Sequence, residues 1–410
     1  MRWPRSSPDG SPRLRLTILN QFYAPDISPT AQLAASLAER RADRGDEVTI
    51  VTGRAGYLEG LSRSTRPETR SGLRVRRVWT PDLGKSSRTR RLLGYVSFSL
   101  GCLGRMVRLP RQDVIIAMTT PPFVVLAAVL HRLLHRRTRI ILWSMDCYPD
   151  AAERFGELNP GSLISRILHR LNQWAFRHVE IVIGLDGAMV ELLEQYAAGP
   201  DRPRFETIPN WERLSEFPAA APAPWAGFAD LGVEGRTVVL YLGNTGVGHR
   251  FDTVLDAASV LGDEVLFLFR GGGARWGQLQ DEARARRLTN VAFHAYVPKN
   301  DTPAVMAGAT IALITLDERS LGVMSPSKLH ANLAAGLPIL YVGPIGSNVD
   351  EAIVRHDVGR SLREGDVGGV VTAVRDLQDD LGARHRARQA FELAYSDVAV
   401  LPRFDQLLER

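Results

Sequence analysis

Leu14 to Thr52 reads LRLTILNQFYAPDISPTAQLAASLAERRADRGDEVTIVT. Leu14 to Asn20 is an apolar run of strand length, and Glu47 to Thr52 is a second. Between them, Thr30 to Arg44 carries apolar residues at helical spacing, Ser28-Pro29 supplies a cap and a first-turn proline, and Gly45 ends the helix. A strand, a helix and a strand in that order form a crossover, which joins parallel strands. Ligands of such sheets lie beyond the carboxyl ends of the strands, so Asn20 to Asp26 and Gly53-Arg54 are expected to line a cleft.

The pattern continues with strands Leu73–Trp79 and Asp113–Met118. Thr119-Thr120-Pro121-Pro122 sits at the carboxyl end of the latter, before an apolar helix from Phe123 to Leu134. The strand Arg139–Trp143 then delivers Ser144-Met145-Asp146-Cys147-Tyr148-Pro149-Asp150 to the same edge. Asp146 is a candidate for catalysis or for holding sugar hydroxyls, with helix capping as its structural alternative. Val179–Gly184 and Glu206–Asn210 complete the strands of this half. Pro218 to Pro224 (PAAAPAP) is a linker, after which the pattern restarts. Strands are expected at Thr237–Leu242, Glu264–Phe269, Asn290–Phe293, Thr310–Thr315 and Ile339–Val342. The reading is α/β with two Rossmann-like parallel-sheet domains facing each other across a cleft. A disordered leader covers 1–13, the first domain 14–215, the linker 216–224 and the second domain 225–394, and a helix within 395–410 crosses back.

A chain of 410 residues is too long for one compact core and suits two. Its net charge of +6 favours anionic partners: nucleotides, phospholipid headgroups or nucleic acid. Cys102 and Cys147 are the two cysteines, which excludes a disulfide framework and a four-cysteine metal site and fits a reducing cytoplasm. Met1 to Pro12 lacks the apolar core of a signal peptide. Between Asp82 and Asp113 there is no acidic residue, but Lys85, Arg88, Arg90, Arg91, Arg105, Arg108 and Arg111 flank the apolar stretch Leu92–Leu100. That stretch is too short to span a bilayer, but a basic, partly apolar helix suits an anionic membrane surface. The alternative is a helix packed on the sheet with a solvated basic rim.

Phosphate-binding features gather in the second half. Gly243-Asn244-Thr245-Gly246-Val247-Gly248-His249-Arg250 is a glycine-rich turn after a strand, where backbone approaches an anion closely. Arg270 precedes Gly271-Gly272-Gly273 after the next strand. Ser325-Pro326-Ser327-Lys328 opens a helix stopped by Gly336-Leu337-Pro338, with Ser325 as the expected cap. Ser327 and Lys328 then fall in the first turn, where backbone N–H groups, a hydroxyl and an ammonium group suit a phosphate. A dinucleotide reading of the glycine turn requires an acidic residue after the next strand, and Arg270 stands there, which suits only a 2′-phosphate.

These pieces resemble a retaining glycosyltransferase of the GT-B fold, in the large family four group and the branch that builds bacterial exopolysaccharide, colanic-acid and O-antigen units. The resemblance runs from Leu16 to Gly359 and is carried by the opening stretch, WSMDCYPD, IPNW, LGNTGVGHRFDTVLDAA, TNVAFHAYVP, SPSKLHANLAAGLPIL and PIGSNVDEAI. It implies a nucleotide-sugar donor, UDP-linked in the first instance, held by the C-terminal domain at Gly243, Asn244, Thr245, His249, Arg270, Tyr296, Val297, Ser327 and Lys328. Tyr296-Val297 would lie by the nucleoside base. The strand ends and the helix start add acceptor-side residues Asp26 and Thr119 and catalytic Asp146 and Lys328, and the resemblance implies no metal or cofactor. The Glu-x7-Glu pair of many relatives is absent: Val323 and Ala331 stand at those positions. The usual Arg and Lys after the first glycine become Asn244 and His249, which leaves Lys328, with Arg250, Arg270 or Arg275, to meet the phosphate charge.

The expected protein is a hexosyl- or N-acetylhexosaminyltransferase, cytoplasmic and peripheral to the inner face of the plasma membrane. Its partners are a nucleotide sugar, a polyprenyl-linked or growing glycan acceptor and an anionic membrane surface, but no nucleic acid. A UDP-sugar 2-epimerase on the same fold, an NADPH-dependent oxidoreductase and a non-catalytic glycan- or lipid-binding protein are the alternatives.

Overall fold

The computed structural model describes residues 13–26, 28–54, 69–70, 72–81, 88–197, 199–200, 202–298 and 301–409. Residues 1–12 of the expected 1–13 leader, and Lys85, lie outside them. The chain divides into two compact units. One runs to Ile208 and includes Gly322–Met324 and residues 407–409, and the other comprises Pro209–Leu321 and Ser325–Gln406. The division falls after Ile208, whereas the sequence reading runs the first domain to 215.

In the first unit, strands and helices alternate as β1 (Arg15–Leu19), α1 (Pro29–Asp43), β2 (Glu47–Gly53), β3 (Thr69–Arg70), β4 (Leu73–Val78), α2 (Arg88–Arg108), β5 (Val114–Met118), α3 (Val125–Leu134), β6 (Arg139–Trp143), α4 (Asp150–Arg154), α5 (Leu163–Phe176), β7 (Ile181–Gly184), α6 (Gly187–Glu194) and β8 (Arg204–Thr207). They form one sheet in the order β3-β4-β2-β1-β5-β6-β7-β8. All pairs are parallel except β3 with β4. Every residue of β5 is buried, as a central strand covered on both faces requires. Strand β8 forms earlier than the expected Glu206–Asn210, because Pro209 has no amide to donate: the last ladder bond runs from Ile208 N to Gly184 O at 2.9 Å.

The second unit contains β9 (Thr237–Asn244), α7 (Asp252–Leu261), β10 (Val265–Gly272), α8 (Trp276–Ala285), β11 (Val291–His294), α9 (Thr302–Ala307), β12 (Ile311–Thr315), α10 (Lys328–Ala334), β13 (Ile339–Val342), α11 (Asn348–His356), β14 (Gly359–Leu362), α12 (Val367–Asp379), α13 (Ala383–Ala390) and α14 (Asp397–Glu409). Its sheet is wholly parallel, in the order β11-β10-β9-β12-β13-β14. Side chains alternate between two cores, as a strand's two-residue period dictates. Leu240, Leu268 and Ile314 pack with Leu329 and Leu333 of α10 on one face. Tyr241, Phe267 and Phe269 pack with Val254 of α7 and Val374 of α12 on the other. Each such side chain, fully buried, contributes about 1.5–3 kcal/mol.

The last turn of α14, residues 407–409, clusters with the first unit. There the buried Arg41 holds the buried Asp46 at 2.6 Å and Glu409 at 3.1 Å, and Arg139 donates to the Leu407 carbonyl at 3.1 Å.

Candidate active site

In the first unit the strand ends are fixed through backbone. The peptide bonds before Pro25, Pro121 and Pro149, in the loops after β1, β5 and β6, are cis. Thr119, directly after β5, accepts the amides of Met145 (2.8 Å) and Asp146 (3.1 Å) on its hydroxyl oxygen. Two residues predicted on different strands are thereby brought together. Met324 bridges Asp146 from the other side, and the Cys147 amide donates to the Val323 carbonyl at 2.9 Å. Burial pushes the Asp146 carboxyl up to about 6. The carboxyl lines a cavity of about 30 Å³ with Thr119, Phe123, Tyr148 and Asn172, room for about one water. The Asp26 carboxylate accepts the Ser28 amide at 2.8 Å, just ahead of α1.

In the second unit the strand ends are opened by glycine. Gly243 (φ +132°) and Gly271 (φ +152°) face each other on β9 and β10, and a Cβ on Gly271 would stand 2.0 Å from the Gly243 carbonyl oxygen. A Cβ on Gly243 would stand 2.9 Å from Cε of Lys328. Only glycine lets the lysine lie across the strand end. The Lys328 ammonium reaches Nε2 of His249 at 3.2 Å and the Asn244 carbonyl at 3.4 Å, and sits 5.0 Å from the centre of the Tyr241 ring. No carboxylate among the described residues pairs with it. Burial lowers its pKa to about 8.

His249 has its protons assigned by its neighbours. Its Nδ1 lies 2.6 Å from the Thr315 carbonyl, which can only accept. Burial, then the Lys328 charge, lowers the ring to about 3, so it is neutral with its proton on Nδ1. Nε2 therefore accepts from Lys328. The expected role of His249, donating to a diphosphate, is corrected: the ring has no N–H left to offer, and it orients the lysine.

Three further expectations change. The expected cap at Ser325 is absent: α10 begins at Lys328 after Ser327, and Ser325 Oγ is buried without a hydrogen-bond partner. The cause is long-range, because Gly322–Met324 belong to the first unit and Asn348 holds the Pro326 carbonyl at 3.2 Å. Thr245 is fully buried, and both its amide and its hydroxyl donate to the Gly272 carbonyl, so it holds the turn instead of offering a hydroxyl. Arg250 is paired with Glu364 at 2.7 Å and with Asp252 at 3.4 Å, which neutralises it. Ser327 is exposed, and its carbonyl lies 3.2 Å from Nδ1 of His330. Arg270 is buried against the Trp225 ring, and Tyr296 and Val297 follow β11, the tyrosine exposed and Val297 packed on the core. Sequence reasoning missed Tyr241, whose hydroxyl donates to the Asn244 carbonyl at 2.7 Å; Arg275, named above as a cation for the phosphate, donates to the His249 carbonyl at 2.7 Å. Tyr241 carries no signal of its own, being one apolar position among several in a buried strand.

On α2, Leu92, Leu93, Val96, Leu100 and Val107 are exposed, while Phe98, Cys102 and Met106 face the core. Leu163, Ile164, Ile167 and Trp174 of α5 are exposed beside the exposed Arg166 and Arg170. Among the described residues no helix is long and apolar enough to cross a membrane.

Residues 30–211 match the model of the glycosyl transferase 4-like domain. A Pseudomonas aeruginosa protein named Probable glycosyltransferase WbjE is 25% identical over 72% of this chain and 74% of its own. An Escherichia coli protein named for colanic acid biosynthesis, the glycosyl transferase WcaI, is 23% identical over 79% and 82%. Among solved structures, Anabaena HepE in complex with UDP-glucose superposes with a TM-score of 0.67 at 14% identity, over 97% of this chain and 99% of that one. The chain is a glycosyltransferase of the GT-B fold whose residues 30–211 are similar to the glycosyl transferase 4-like domain.

Proposed function

We propose that this chain moves a hexosyl or N-acetylhexosaminyl group from UDP to a polyprenyl-diphosphate-linked or growing glycan acceptor, in the making of a bacterial surface polysaccharide. The observation that carries the reading is Lys328, a cation without a described carboxylate partner, laid over a strand end cleared by Gly243 and aimed by a neutral His249. Such a group needs an anion, and a departing diphosphate supplies one. In the transfer, the bond from the anomeric carbon to the diphosphate oxygen breaks and a bond to the acceptor oxygen forms. The acceptor hydroxyl loses its proton, and Asp146, with a carboxyl pushed up to about 6, is suited to take it. Retention of configuration, and a reaction without metal, follow from the family four resemblance.

UDP is favoured because HepE, which shares the fold, is solved with UDP-glucose. The polysaccharide assignment leans on WcaI, named for colanic acid biosynthesis. The exposed apolar residues of α2 and α5, with arginines beside them, support attachment to an anionic membrane surface on the cytoplasmic side, where a polyprenyl-linked acceptor resides. Thermal shift against UDP, GDP, ADP, dTDP and NADPH tests the donor: a concentration-dependent rise with UDP alone is expected. A rise with NADPH and none with a nucleoside diphosphate would overturn the reading. Sedimentation with vesicles of anionic and of neutral lipid tests the surface, with binding expected only to the former.

A further inference from the structure

Arg270 has no part in the chemistry described so far, and its surroundings are unusual. It lies near the end of the buried run of β10, in register with Leu242 of β9 and His294 of β11. It is only 6% exposed. Its guanidinium carbon lies 4.1 Å from the centre of the Trp225 ring. Nε and Nη1 are buried and have no hydrogen-bond partner, and no carboxylate among the described residues pairs with it. A buried guanidinium with unmet N–H groups is strongly unfavourable, and the attraction of one indole offsets only part of that.

The surroundings are built to hold this cation. The Trp225 ring packs edge-on against Phe228 at 5.8 Å and His294 at 6.3 Å. It folds back over Gly227, where a Cβ would stand 1.9 Å from the indole. His294 is kept neutral, by burial first and then by the Arg270 charge. Two residues beyond Arg270, the exposed Tyr296 ring lies against Gly272, where a Cβ would stand 3.1 Å from Cε2. A flat exposed ring over a glycine is a surface on which a planar group stacks. Lys328, by contrast, lies one strand over, on Gly243 of β9.

We infer that Arg270 is a specificity residue of the donor site, giving an unmet N–H group to a carbonyl oxygen of the nucleobase while Lys328 takes the diphosphate. Contact with the Trp225 ring holds the guanidinium in place, and its planar set of N–H donors suits the edge of a flat base. This rests on the nucleotide-donor reading above. It assigns to Arg270 a stability signature opposite to that of a structural arginine, because removing an unmet buried charge relieves the unliganded protein.

The test uses the full chain with Arg270→Met, which keeps an apolar stem, and Arg270→Lys, which keeps a cation without the planar donor set. Melting midpoints are measured without ligand, and affinities for UDP, UMP and pyrophosphate by titration calorimetry. Arg270→Met is expected to melt at or above the wild-type temperature and to bind UDP and UMP about tenfold or more weakly, by a common factor, with pyrophosphate unchanged. Arg270→Lys is expected to lose affinity for both nucleotides by a smaller factor. A lower midpoint with unchanged UDP affinity in either variant would make Arg270 a structural strut and overturn the inference. So would a loss shared by pyrophosphate, which would move the arginine to the phosphates. Wild-type protein that binds no nucleotide would remove the donor reading itself, and this inference with it.

Discussion

The strand ends of the two sheets are built by opposite means. In the first unit, the Thr119 hydroxyl holds the Met145 and Asp146 amides, and the carboxyl there is raised by burial to about 6. In the second, glycines at positive φ clear backbone away, and the product is an ammonium group lowered by burial to about 8. Burial penalises charge of either sign, so the same physics moves the two groups toward neutrality from opposite sides. In the transfer proposed above, the carboxyl takes a proton and the ammonium group receives an anion. This is the division a glycosyl transfer needs, where the acceptor loses a proton and the donor releases a diphosphate.

The widest break in that comparison is expected from Asp146→Asn. As a proton acceptor Asp146 works ionised, so its replacement should lower the transfer rate by about a hundredfold or more and leave UDP affinity unchanged; a steady-state assay beside calorimetry separates the two. A parallel loss of UDP affinity would contradict the division of labour. Gly243→Ala comes next. The new Cβ would meet Cε of Lys328 at 2.9 Å and strain a residue at φ +132°, so UDP affinity should fall about tenfold and the melting midpoint with it.

The pH profile sharpens the comparison without mutation. Asp146 gains its negative charge as pH rises through about 6, and Lys328 loses its positive charge as pH rises through about 8. The transfer rate should therefore rise on the acid limb near 6 and fall on the alkaline limb near 8, and UDP affinity should fall only on the alkaline side. For stability of the unliganded protein the lysine has the reverse sign. Its folded pKa is below the ordinary lysine value of 10.5, so the unfolded state binds more protons between about 8 and 10.5, and Lys328 costs progressively less stability as pH rises through that window.

His249→Ala should give the smallest effect, a severalfold loss of UDP affinity, because Lys328 keeps its charge and loses only its aim. His249→Asn, whose amide can accept from the ammonium, should recover part of it, and an unchanged affinity in His249→Ala would remove the positioning role.

The parallel sheets were legible because their signals are local. Apolar runs such as DVIIAM and RIILW end at Thr119 and Ser144, and Gly45 and Gly336 stop their helices within the same stretch of chain. Lys328 was legible for the same reason, since it follows a proline and precedes a glycine stop. The errors are long-range. The delayed start of α10 depends on Asn348, some twenty residues on, holding the Pro326 carbonyl. The role of His249 depends on the Thr315 carbonyl, 66 residues away. No spacing rule reports which carbonyl an imidazole will find.

The most direct test of the central claim is titration calorimetry of UDP into wild-type protein and Lys328→Ala at pH 7, with melting curves to confirm that both fold. The account predicts that wild-type protein binds UDP and that the variant binds it about ten- to a hundredfold more weakly, the loss of one charge-assisted contact. Equal affinity in two folded proteins would show that the lysine does not receive the diphosphate.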